Sequence, residues 1–86
     1  VSEKAQAESA RYYNNRGIEK AKSGDNYGAI SDYNKAIEIN PSYASAYTNR
    51  GIIKEEIGDM NGACFDWRQA SSLAHPSSPQ WVRNEC

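Results

Sequence analysis

An all-α fold of stacked antiparallel helix pairs follows from three features of the chain. Residues 10–43 and 44–77 are two copies of one 34-residue unit, with 13 identities in 34 positions. Each copy holds two stretches whose apolar residues recur three and four apart, the spacing of one helix face. Short turns at Gly24-Asp25, Asn40-Pro41 and Gly58-Asp59 separate the stretches, so successive helices must be antiparallel neighbours. A period of 34 is that of a known helical repeat class. There is no strand signal, no low-complexity stretch and no dividing linker, so the 86 residues form a single domain, 1–86.

In the first copy Ala10, Tyr13, Asn15, Arg16, Gly17, Ile18 and Lys20 fall on Ala44, Tyr47, Asn49, Arg50, Gly51, Ile52 and Lys54 of the second. Gly24-Asp25, Gly28-Ala29, Asp32 and Ala36 fall on Gly58-Asp59, Gly62-Ala63, Asp66 and Ala70, with Tyr33 over Trp67.

Residues 1–9 are rich in helix formers without a clear apolar face and are expected to be a frayed lead-in. The first helix should run from about Ala7 to Ser23, with Ala10, Tyr13, Gly17 and Ala21 on one face. Gly24 ends it, since glycine readily takes the left-handed cap conformation. Asp25 or Asn26 then caps a second helix reaching about Asn40, with Ala29, Ile30, Tyr33, Ala36 and Ile37 on its face. Pro41 stops it.

Ser42 is the expected N-cap of a third helix, Tyr43 to Ile57. Gly58 stops that helix and Asp59 caps a fourth, Met60 to Ala74, with Ala63, Cys64, Trp67, Ala70 and Leu73 inward. Ser78-Pro79 is a cap followed by proline at the first helical position. A short fifth helix, Pro79 to Asn84, carries Trp81 and Val82 and makes 78–86 a C-terminal capping helix.

Composition narrows the function. Ten basic and eleven acidic residues leave a net charge of −1 and a pI near 5.8. That lacks the basic footprint of a nucleic-acid binder. No apolar run approaches a membrane span. The N-terminus lacks the layout of a signal peptide, and Val1 indicates a trimmed start. Cys64 and Cys86 are too few for a disulfide framework and are not spaced as zinc ligands. The expectation is two free thiols in a reducing, cytoplasmic setting, with no metal and no cofactor.

The unit resembles the tetratricopeptide repeat. The resemblance is carried by Tyr13, Gly17, Ala29, Tyr33, Ala36 and Pro41 in the first copy, and by Tyr47, Gly51, Ala63, Trp67 and Ala70 in the second. It extends into the tail, where Trp81 matches Tyr13 and Tyr47. It implies a short right-handed superhelical solenoid, with Gly17 and Gly51 at close helix approaches and Tyr33 and Trp67 filling space between pairs. Departures are Arg16 and Arg50 at a usually apolar position, Lys20 and Lys54 at a usually aromatic one, and His75 where proline is usual. Their long stems are expected to cover apolar surface while the charges reach water.

What the resemblance implies about function is a protein–protein interaction module, a scaffold whose concave groove takes a peptide or partner segment. The groove residues would be Arg11, Asn14, Asn15, Ile18 and Lys22 on the first helix, Ser45, Thr48, Asn49, Ile52 and Glu56 on the third, and Arg83 in the tail. Asn15 and Asn49 would pair with a peptide backbone, since an amide both donates and accepts. Their alternative role is to bond between neighbouring helices. Of the five residues with which some members hold a terminal carboxylate, only Asn49 and Arg83 match. The competing function is a self-assembly unit, a homo-oligomer formed through the end helices. Catalysis is not expected: Cys64 faces inward, the one histidine, His75, sits in a turn, and Asp32 and Asp66 are expected to be outward-facing or helix-bonded.

Overall fold

The structure, a computed structural model, describes residues 2–74 and Cys86. Four helices follow one another: α1 (Glu3–Lys22), α2 (Asn26–Ile39), α3 (Ala44–Glu56) and α4 (Met60–Ala74). There is no strand among the described residues. The fold is all-α, with two helix pairs packed on one another. The expected fifth helix, with Trp81, Val82 and Arg83, lies outside the described residues.

The starts and stops have local causes. α1 begins four residues before the expected Ala7, because Ser2 caps it: its hydroxyl accepts from the Ala5 N–H at 3.1 Å. Glu3 in the first turn suits the helix dipole. Residues 3–9 are therefore helix and not lead-in. Asp25 and Asp59 cap α2 and α4 alike, each accepting at 2.9 Å from the N–H three residues on, at Gly28 and Gly62. A side chain at either glycine would collide with the capping carboxylate. Gly24 and Gly58 take φ of +88° and +91°, the left-handed conformation that ends α1 and α3.

At α3 the expectation fails. Tyr43 and not Ser42 occupies the N-cap, with no side-chain hydrogen bond. Ser42 instead donates its backbone N–H to Asn40 Oδ1 at 3.1 Å, an Asx turn over Pro41.

α1 packs on α2, α3 on α4, and α2 on α3, while α1 also touches α3. Within each pair a glycine lies under an aromatic ring. A Cβ on Gly17 would lie 2.6 Å from Tyr33 Cε1, and one on Gly51 2.6 Å from Trp67 Nε1. Tyr33 also joins Ala29 and Ile53 in one cluster, so it fills space both within its pair and between the pairs. Ala10, Ala36 and Ala46 form a second cluster joining the pairs, closed by Tyr13, Ile37, Ile39 and Tyr43. Leu73, expected inward, is exposed. It lies six residues past Trp67, which turns it about 120° from that ring.

Candidate functional site: the face of the first helices

One polar arrangement around a buried aspartate is repeated in both pairs. Arg16 clamps Asp32 through Nε and Nη2, both at 2.8 Å, and Lys20 Nζ adds a contact at 3.1 Å. One repeat on, Arg50 clamps Asp66 at 2.9 and 2.6 Å and Lys54 lies at 3.3 Å. Asp32 and Asp66 are 3% and 0% exposed, so they are not outward-facing; of the two expected alternatives they take the helix-bonded one, held by side chains of the partner helix. Arg and Lys sit one turn apart on the first helix of each pair, and the aspartate faces them from the second. The basic side chains therefore tie the pair together rather than merely covering apolar surface. The signal was present in the sequence: Arg16, Lys20 and Asp32 recur together as Arg50, Lys54 and Asp66.

These aspartates are structural. Each is neutralised by its own cations in its own pair. The Arg16 guanidinium holds the Asp32 carboxyl below the usual carboxylate range, with burial opposing and Lys20 helping. Arg16 is pushed up in return, chiefly by Asp32. Burial raises the Tyr33 hydroxyl. A carboxylate depressed by folding stabilises the protein above its unfolded pKa, and that stability is lost as pH falls through the folded pKa. Urea stability should thus hold from neutral pH to about pH 5 and fall below about pH 4. The fall should be shallower in Asp32→Asn; equal slopes for the two proteins would contradict the assignment.

Beside the triads lie the residues expected to line a groove. Asn49 Nδ2 donates to Asn14 Oδ1 at 3.0 Å, tying α3 to α1. Asn14 is buried at 3% exposure and is occupied in packing. Asn49 thus takes its alternative role, bonding between neighbouring helices with Asn14 as acceptor, while Asn15 is exposed. Arg11, Asn15, Lys22, Ser45, Ile52 and Glu56 are exposed, and Ile18, Thr48 and Asn49 are half-buried. Arg83 lies outside the described residues. Helical spacing aligns Arg11, Ile18 and Lys22 as one stripe on α1, and Ser45, Ile52 and Glu56 as the matching stripe on α3. Ile52 is 42% exposed while its neighbour Ile53 is 4% exposed in the core. Lys22 also meets Glu19 of its own helix at 3.6 Å, an exposed pair worth little. Arg50 Nη1 donates to Asn34 Oδ1 at 2.9 Å and clips the second pair to the first.

The thiols differ from expectation. Cys64 and Cys86 are joined by a disulfide, their Cα atoms 5.6 Å apart, and Arg68 Nη2 donates to the Cys86 carbonyl at 3.0 Å. Two cysteines 22 residues apart in sequence carry no sign that they meet. Among the described residues no cluster of acidic, histidine or cysteine side chains is arranged for a metal, and no helix is long and apolar enough to cross a membrane.

Comparison with known proteins agrees with this architecture. A family model described as TPR repeat matches residues 19–58, from the end of α1 through α2 and α3 to the turn at Gly58. Comparison with curated proteins finds no match. The two stacked helix pairs in the 34-residue register are consistent with a tetratricopeptide-type solenoid. Such repeats generally mediate protein–protein interactions, and the family is non-catalytic.

Proposed function

We propose that the chain is a binding module that takes a peptide or partner segment along the concave groove lined by α1 and α3. The observation carrying this reading is the pair of aligned stripes, Arg11–Ile18–Lys22 and Ser45–Ile52–Glu56. Each places an isoleucine between polar ends, and Ile52 is left exposed although the core takes Ile53. Ile18 and Ile52 give a partner apolar surface to cover. Arg11 and Lys22 on one wall and Glu56 on the other orient a ligand of mixed charge. The Asn14–Asn49 bond fixes the spacing of the two walls, so recognition falls to the flanking side chains and not to an amide ladder.

The test is selection of peptides from a random displayed library against the full chain. Selected peptides should lose at least about tenfold in affinity on Ile52→Arg, about 1.4 kcal/mol. They should be indifferent to Phe65→Arg, which changes an exposed apolar residue on α4. Equal losses in the two variants, or none in either, would sink the groove reading.

A further inference from the structure

The two copies differ at two of the positions by which α3 meets the first pair. α3 meets the first pair through Ala46, Asn49, Arg50 and Ile53, of which Ala46 is 0% and Ile53 4% exposed. The residues 34 places earlier on α1 are Tyr12, Asn15, Arg16 and Glu19, and all four are exposed. A small and an aliphatic residue at the join between pairs are replaced at the outer side of α1 by a large phenol and a carboxylate.

The two arginines record the same difference. Arg50 reaches across to Asn34 of the preceding pair. Arg16 turns onto its own helix: its guanidinium lies 5.6 Å from the Tyr12 ring centre, and Nη1 is 3.5 Å from the Tyr12 hydroxyl. Both arginines also lie over the tyrosine common to the two copies, Arg16 over Tyr13 at 5.2 Å and Arg50 over Tyr47 at 5.5 Å. Tyr12 is the addition found only in the first copy, set edge-on to Tyr13 with ring centres 5.2 Å apart.

We infer that a second copy of this chain does not stack on the outer face of α1, where Tyr12 and Glu19 stand in the places of Ala46 and Ile53. An incoming helix pair would meet the Tyr12 ring where Ala46 permits close approach. It would also bury the Glu19–Lys22 pair where the join between pairs buries Ile53, and taking such a charged pair out of water is unfavourable.

Two measurements on the full chain test this. Light scattering across a wide concentration range should give the same mass curve for the wild type and for Tyr12→Glu. Thermal melts should show Tyr12→Ala lowering Tm by about 3 °C more than Tyr27→Ala, because only Tyr12 supports an arginine. Tyr27 is the control as another exposed tyrosine, 74% accessible. The inference is overturned if the wild-type mass rises with concentration and Tyr12→Glu returns it to one chain, or if the two alanine variants melt together. Neither readout involves a groove ligand, so this inference and the groove reading can fail separately.

Discussion

Asp66→Ala should lower stability by about 3–5 kcal/mol, the range for breaking a buried ion pair from one side. Asp66 is fully buried, while the Arg50 and Lys54 side chains are only 13% and 20% exposed. Removing the carboxylate leaves two cations facing one another with little water to take its place. A domain of this size holds on the order of 5–10 kcal/mol in total, so the variant should be largely unfolded in mild urea. Asp32→Ala should lose clearly less. Its Arg16 side chain is 44% exposed and can hydrate once the partner is gone. Urea titrations of both variants, followed by circular dichroism, check the order. A loss under about 1 kcal/mol at Asp66 would mean that the triads are incidental to stability, and equal losses would mean that the exposure of Arg16 does not soften the loss.

Trp67→Ala should be of the same size, about 3–5 kcal/mol, for a different reason. The indole is 6% exposed and lies over Gly51, where the helix backbones approach closely. Its removal leaves a void that two helices clipped together elsewhere can only partly close. The glycine offers a sharper test. On the wild-type background Gly51→Ala should cost about 1 kcal/mol, because the new methyl meets Trp67 Nε1 at 2.6 Å and the Ala63 carbonyl oxygen at 3.2 Å. On the Trp67→Ala background the ring is gone, the Ala63 contact remains and alanine favours helix by about 1 kcal/mol, so the cost should largely vanish. Losses that simply add would show that Gly51 is small for some reason other than the ring.

The elements that the sequence made legible are those set by local chemistry or by repetition. Gly24 and Gly58 marked helix ends because positive φ suits glycine, and Asp25 and Asp59 marked caps because a short carboxylate reaches the third N–H. The 34-residue register brought Gly17 under Tyr33 and Gly51 under Trp67. Ser42 misled because Asn40 took its backbone N–H first, so the cap moved to Tyr43. The start of α1 was missed because the early residues lack an apolar face, whereas Ser2 supplies a cap and one pair of helices suffices to hold the rest.

The candidate site was harder to read. Asn14 has groove spacing, yet its burial depends on Asn49 arriving from the next pair, a contact 35 residues away in sequence. Asp32 and Asp66 looked like surface carboxylates one at a time. Only their joint recurrence with an arginine and a lysine distinguishes a clamp from a solvated face. Cys64 and Cys86 had no repeat partner to reveal them at all.

The bridge between those cysteines makes the chain answerable to its surroundings. Closing a loop over a separation of 22 residues restricts the unfolded chain and adds about 3 kcal/mol when oxidised. Disulfides persist outside the cell, in the secretory lumen or in the periplasm, and glutathione and thioredoxin keep cytosolic thiols reduced. A cytoplasmic address and a closed bridge therefore pull in opposite directions. The same 86 residues have two stabilities, and the redox potential around them selects which one operates.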